Sequence, residues 1–475
     1  MATSATPPLR FGEEHFGQAP LRHRGRVRRL VLTANRIAAH PGGTLPDKLR
    51  DPAAYQGLMR LVKHPSVTHE AVLQTHCQRT LARMRQTPGV VLILQDGTEL
   101  DYTSKTTLTG LGQIGNGSGK GYICHNSLAY DPATKTVLGL AHQILHHRED
   151  VPKLESAAAK RERATRESLL WVRAGDAIGP APPGGRWVDV ADRGADTFEF
   201  LDHEVAAQRR FVVRSHHDRQ IYVGHTDHAT ADTLHAYARQ LPEWFRRTVP
   251  VGARDGRAAR TATVAVAAAA VQVRPPRKQR GKHRGVPLAL WVVIVREVEP
   301  PVGVEPVEWI LLTNHAVASP ADAAEVVTWY ESRWVIEEYH KAQKTGCAIE
   351  APQFTRAERL EPMIALLSVV AVLLLNLREY SRQPEAATQP ARAVVPEAYV
   401  AVLSVWRHRE RRDGWTVREF FLALARLGGH QNRRRDGHPG WLVLWRGWAK
   451  LQDMVDYAVA AGVEHLPPSE WENSD

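Results

Sequence analysis

The chain has 475 residues, 43% of them hydrophobic and 24% charged, enough to bury a large core and to divide into about two to four domains. A formal net charge of +11 favours a polyanionic partner. Three cysteines, Cys77, Cys124 and Cys347, are too few and too scattered for a disulfide framework or a thiolate zinc site, which fits a reducing cytosol. The N-terminus MATSATPPLRFGEEHF lacks the apolar stretch of a signal peptide. Met363 to Leu375 is too short to span a bilayer, so a buried helix, a cytoplasmic location and no membrane partner are expected.

Residues 1 to about 80 read as helical. A basic segment, Arg22 to Arg29, runs into LVLTANRIAAH and breaks at Pro41-Gly42-Gly43, and two more helical stretches follow at Asp51 to Val62 and Val67 to Met84. Arginines at one end of such a module can lie across phosphates or form only a solvated basic surface. From Gly89 the pattern changes to strand. VVLILQD is an apolar run that the pattern ends at the carboxylate of Asp96, and LDYTSK, GYICHNSLAYD and TVLGLAHQIL read as further strands.

Helical period returns from Val151 to Val172, followed by a Pro/Gly loop at Ile178 to Gly185. The strand RWVDVAD ends at Asp192, a helix follows from Phe198 to Gln208, and RFVVRSH is the next strand; this alternation argues α/β. Residues 215 to 315 are rich in strand signals (RQIYVG, TATVAVAAAAVQV, ALWVVIVREV, EWILLT), with a basic loop from Arg274 to Arg284 that either meets phosphate or is solvated. Leu360 to Tyr380 is an apolar helix, Ser381 to Pro396 a Pro/Ala-rich linker, and Ala398 onward is helical.

The most informative stretch, Ser319 to Gly346, reads as one helix. Ser319 caps it, Pro320 suits its first position, Asp322 completes a capping box, and Gly346 closes it behind Lys341 and Lys344. At about 100° per residue, Tyr330, Arg333, Glu337, Lys341 and Lys344 share one stripe, with Val335, Ile336, Tyr339 and Ala342 opposite. Pairs such as Arg333 with Glu337 are ordinary on solvated helices. Here a tyrosine, an arginine, a glutamate and a lysine follow in order at 330, 333, 337 and 344, with Trp334 beside the arginine.

That spacing resembles the Y-R-E-K signature of DDE transposases of the insertion-sequence-4 and transposon-5 kind. The resemblance requires two upstream aspartates on strands, and Asp96 in QDGTELDYT and Asp192 in ADRGAD match them; taken singly, each reads better as a strand-end or turn residue. It implies an RNase H-like α/β catalytic core over residues 86–378, with a β-rich insertion at about 215–315. A helical DNA-end-binding domain over 1–85 and a helical dimerisation domain over 398–475 would flank it.

By the same resemblance Asp96, Asp192 and Glu337 hold two Mg2+ ions, for which Mn2+ can substitute, at a spacing of roughly 3.5 to 4 Å. Arg214, Trp309, Tyr330, Arg333 and Lys344 sit where the family holds DNA, Trp309 at the position that stacks on a flipped base, and Trp334 and Lys341 are further candidates. The implied partners are double-stranded DNA, as transposon ends and target, and a second copy of the chain. Departures from the family pattern are Gly97, where threonine is common, and Gly194, where a glutamate stands in the D-R-E-A-D form.

Two other motifs fail. GNGSGKG at Gly115 to Gly121 has Ile114 in the place of the first glycine and Gly121 in that of the Ser/Thr of a phosphate loop, and His142 and His146 lack the glutamate of a zinc protease. Two further functions fit the same residues: a DNA-binding protein of this fold without cleavage, and a metal-dependent nuclease that cuts without joining.

Overall fold

The computed structural model describes residues 8–149, 156, 159, 162–224, 231–252, 260–276, 283–433 and 438–462. Among the described residues five helices come first: α1 (Pro8–Phe16), α2 (Arg24–Ala39), α3 (Leu45–Leu49), α4 (Pro52–Leu61) and α5 (His69–Gln86). Their starts are chemically marked. Asp51 and Thr68 cap α4 and α5 with side-chain oxygens that accept from Ala53 and Ala71 backbone N–H groups.

Strands β1 (Val90–Asp101), β2 (Gly112–Ile114), β3 (Gly119–Asp131) and β4 (Thr136–His146) follow, then α6 (Leu170–Ile178), β5 (Arg186–Ala191), α7 (Phe198–Ala206) and β6 (Arg210–Arg214). β1, β5 and β6 run parallel, and β3 is antiparallel to β1, as is β4 to β3. Gly139 on β4 has φ +150°, and a Cβ there would fall 2.1 Å from Thr80 Oγ1, so only glycine lets α5 lie this close to the sheet.

The sheet continues outward from β6. Strands β7 (Gln220–Val223), β8 (Ala231–Thr233), β9 (Phe245–Val251), β10 (Arg260–Val273), β11 (Leu288–Glu297) and β12 (Glu308–Thr313), with helix α8 (Leu234–Gln240), build an antiparallel extension whose last strand, β12, returns to pair with β6. The order β2-β3-β1-β5-β6-β12-β11-β10-β7-β8, with β4 on β3 and β9 on β10, makes one mixed α/β sheet.

Helices α9 (Pro320–Glu331), α10 (Trp334–Lys341), α11 (Ala357–Arg382), α12 (Glu397–His408), α13 (Val417–Leu427) and α14 (Trp441–Ala460) complete the described chain. Leu92, Leu94, Ile336, Tyr339 and the α11 run Met363–Leu367 share one buried core that also reaches Phe11 and Leu451.

Several elements differ from the sequence reading. β1 does not stop at Asp96: it continues to Asp101 because β3 pairs with it along its whole second half, Asp96 opposite Asn126 and Asp101 opposite Gly121. The stretch 319–346 is not one helix. The Ser319–Asp322 capping box forms, but α9 ends at Glu331, a turn at 332–333 separates it from α10, and Ala342–Gly346 is a π-helical turn. Residues 384–396 are not a free linker: Ala386, Ala391, Val394 and Val395 are buried, and Pro390 bridges to Thr416. Of the 151–172 helix, Leu170–Ile178 is the part seen, preceded by a short 3₁₀ turn at Glu167–Leu169, and residues 150–155, 157, 158, 160 and 161 lie outside the described residues. So do residues 1–7, 277–282 of the basic loop and 463–475 of the C-terminal segment.

Candidate active site

Adjacent parallel strands bring the two aspartates together. Gln95 of β1 is in register with Ala191 of β5, so Asp96 and Asp192, one residue further along each strand, are neighbours across the sheet. Alternation of the pleat turns Asp96 toward α10, with Leu92 and Leu94, and Gln95 to the opposite face. Asp192 leaves the strand as the cap of a 3₁₀ turn at Arg193–Ala195, its Oδ1 accepting from Gly194 N at 2.8 Å, while Asp96 Oδ1 accepts from Gly97 N at 2.8 Å. The other carboxylate of ADRGAD has a different task. Asp196 accepts from His216 N at 2.6 Å, His217 N at 3.0 Å and Arg219 Nη1 at 2.6 Å, fastening the chain that leaves β6.

Glu337 reaches this corner from α10. A buried polar lattice holds that helix: Gln343 Nε2 donates to Ser368 Oγ at 2.9 Å, Gln143 Nε2 donates to Asn126 Oδ1 at 2.7 Å and to Ser368 Oγ at 2.9 Å, and Tyr339 Oη donates to Ser368 O at 2.9 Å. The π-turn swings Gln343 inward to join it. Arg333 stands between the acids, Nη1 3.5 Å from Asp96 Oδ2 and Nη2 donating to Glu337 Oε1. Among the described residues no group of three or more His, Cys, Asp or Glu side chains stands close enough to hold a metal ion.

The electrostatics of the corner are those of crowded like charge. Burial and then the charge of Asp192 push the Asp96 carboxyl up to about 7, Glu337 adding to the rise and Arg333 opposing it. Burial works against the Arg333 charge, yet Tyr330, Glu337 and Asp96 together hold its pKa above the ordinary value. Asp96, whose carboxyl is raised by burial and by the charges of Asp192 and Glu337, is where a hard divalent cation would relieve the repulsion.

The other sequence-selected residues divide. Arg214, on β6, donates from Nη2 to Glu308 O at 2.7 Å, and burial lowers its pKa. Tyr330 is buried rather than presented to solvent, its ring edge-on to Trp309 with centroids 5.4 Å apart. Trp334 is 50% exposed, with the Arg333 guanidinium 5.5 Å from its ring centroid. Lys344 Nζ lies 3.4 Å from Glu350 Oε1, and Glu350 Oε1 also accepts from Asp101 N, tying the π-turn to the end of β1. Lys341 is not brought into this group: it is exposed at the end of α10 and pairs with Glu338 at 2.7 Å, and the π-turn that follows puts Lys344 out of the phase a continuous helix would keep.

Sequence reasoning missed what lies on the opposite face. Gln95 Nε2 donates to Asp189 Oδ1 at 2.6 Å, His125 Nε2 approaches Gln95 Oε1 at 3.1 Å, and Trp171 stands edge-on to His125 with its ring beside Gly194. Asp189 carries the one signal available: a carboxylate in the middle of an apolar strand needs a buried partner. No protein-family model matches the chain.

Proposed function

We propose that the chain is a cut-and-paste DNA transposase with an RNase H-like core, acting on transposon ends and joining them to target DNA. The observation that carries this reading is Asp96 beside Asp192 on adjacent strands and within the field of Glu337 from one helix, with Arg333 spanning Asp96 and Glu337. The five-strand half of the sheet, β4-β3-β1-β5-β6, and its antiparallel extension before α10 support the RNase H-like reading with a β insertion.

Asp96, Asp192 and Glu337 are the residues that would hold Mg2+, or Mn2+ in its place. The ions would supply Lewis-acid stabilisation of the charge developing on the phosphoryl oxygens. The chain's own residues do the rest. β1 and β5, paired from Val90 with Arg186 to Gln95 with Ala191, position the two aspartates at the end of that pairing, and the amide lattice around Ser368 fixes the glutamate helix. Arg333, Arg214 and Lys344 hold strand phosphates, and Trp309, supported on its edge by Tyr330, receives an unstacked base. Two copies act across paired ends, with the C-terminal helices from about residue 398 meeting between them.

Given short inverted repeats on both flanks of the gene, the purified chain with Mg2+ and DNA carrying those repeats should release the flanking DNA and form a hairpin on the end. Asp96→Asn, Asp192→Asn and Glu337→Gln should each lower that cleavage by about 10³-fold or more. Cleavage by these variants at the parent rate would sink the assignment. Specific end binding with no cleavage in Mg2+ or Mn2+ would instead identify a DNA-binding protein of the same fold.

A further inference from the structure

A cavity of about 370 Å³ opens between the C-terminal end of α12 and α13. It shares no residue with the carboxylate corner. One wall is the face of α13 that carries Glu419, Leu422 and Arg426, and another is the end of α12 with Arg407 and His408. Trp415, 8% exposed, is held edge-on by His408 at 5.5 Å between ring centroids.

The charges around this cavity are unevenly committed. Glu419 is occupied by the capping box of α13, its Oε2 accepting from Thr416 N and Oγ1 at 2.9 Å each. Asp413 is paired with Arg392, and Arg412 with Glu410. Arg407 and Arg426 have neither an ion pair nor a side-chain hydrogen bond with another described residue, so two guanidinium groups line the cavity untied to any carboxylate, although Asp413 and Glu419 line it too. Burial and then Arg412 and Arg407 hold the His408 imidazole below its ordinary pKa, against Glu410 and Glu419.

We infer that this cavity binds a phosphodiester of a nucleic-acid strand away from the cleavage corner. Arg407 and Arg426 clasp the phosphate, and Leu422 and the Trp415 edge receive the sugar. Two forks of donors match a tetrahedral anion, the apolar floor suits a sugar better than a free ion, and the volume lies in the range of about 300–1,000 Å³ of ligand sites. The identity of the strand rests on the nucleic-acid partner proposed above.

The test is fluorescence anisotropy of a labelled duplex with the full chain and with Arg407→Gln/Arg426→Gln over a range of salt. The double variant should bind about tenfold more weakly near 0.1 M salt, and the slope of log K against log salt should fall by about one. Arg407→Lys/Arg426→Lys, which keeps both charges, should restore the slope, and matching melting temperatures exclude misfolding as the cause. Affinity and slope equal to the parent's would overturn the proposal. So would inorganic phosphate raising the melting temperature of the parent alone while DNA binding stays equal, which would assign the cavity to a free anion. Asp96→Asn, assayed alongside for cleavage, reports on the transposase reading separately, because it leaves this cavity intact.

Discussion

Replacing Arg209 by methionine should be among the more damaging single changes in the sheet, although no reacting atom is nearby. Asp189, 1% exposed in the middle of β5, takes Arg209 Nε at 3.1 Å and Nη2 at 2.7 Å on one oxygen and Gln95 Nε2 at 2.6 Å on the other. Glu204 Oε2 lies 3.5 Å from the same guanidinium, and burial and then the Asp189 charge already raise the Glu204 pKa. Arg209→Met leaves buried Asp189 without its cation and Glu204 with His203 alone, a change that costs about 3–5 kcal/mol in proteins generally. A polar cavity of about 290 Å³ beside Asp189 and Arg209 lets water approach, which favours the lower end, about 3 kcal/mol.

Adding Asp189→Asn should recover at least about 1 kcal/mol of that loss, because asparagine removes one charge and its oxygen still accepts from Gln95. Glu204 sets the pH trend. A carboxyl whose folded pKa lies above its unfolded one binds more protons when folded, so stability falls as pH rises from the ordinary carboxylate range through the raised value. Without Arg209 the fall is steeper, and the variant should lose less at about pH 5 than at about pH 7.5. Urea midpoints of parent, single and double variants at both pH values measure this. A single variant within about 1 kcal/mol of the parent, or a double variant less stable than the single, would refute the reasoning.

The two glycines of the site corner should behave oppositely. A Cβ on Gly97 would meet only Ile123 Cγ2 at 3.6 Å, so Gly97→Thr should be neutral or stabilise by up to about 1 kcal/mol, whereas at Gly194 a Cβ falls 3.0 Å from both Asp192 Oδ1 and the Trp171 ring, and Gly194→Glu should cost about 1–3 kcal/mol and displace Asp192. Thermal melts and cleavage rates test both. Acid should loosen the joint between α1 and α5. His76 Nε2 accepts from Leu140 N at 3.0 Å, so His76 Nδ1–H donates to His15 Nδ1 at 2.9 Å; burial holds His15 down to about 3 and His76 well below its ordinary value. Both rings stay neutral in the fold while the unfolded chain protonates near 6.5, so stability is complete above about pH 6.5 and falls below it by up to about 1.4 kcal/mol per pH unit for each ring. His15→Asn/His76→Gln should flatten the urea-midpoint profile between about pH 4 and 6.5, and an unchanged profile would exclude this coupling. Trp334→Ala should leave the melting temperature within about 1 °C while weakening DNA binding, because half of that ring already faces solvent; Trp309→Ala, which removes the support under Tyr330, should lower both.

Features written in local chemistry were legible without the fold. The capping box at Ser319 and Asp322 forms as the residue types require, and the strand ending at Ala191 stops one residue before Asp192. Composition misled at residues 384–396, where alanine and proline look like a spacer, yet Ala386 and Ala391 are buried against neighbouring elements. Periodicity misled at 332–333, because a short turn with i−3 hydrogen bonds, such as Arg333 N to Tyr330 O, hardly disturbs the spacing of polar residues while it redirects the axis.

What the sequence by itself determined was the identity of the acids and cations and the faces on which short elements carry them, since side-chain period is a property of a few consecutive residues. The tertiary structure alone decided which of them meet. The parallel register of β1 and β5 sets Asp96 beside Asp192, the break before α10 turns Arg333 onto both Asp96 and Glu337, and the π-turn parts Lys341 from Lys344. Register and helix phase are settled by what packs against each element from distant parts of the chain, and no local window of residues contains that information.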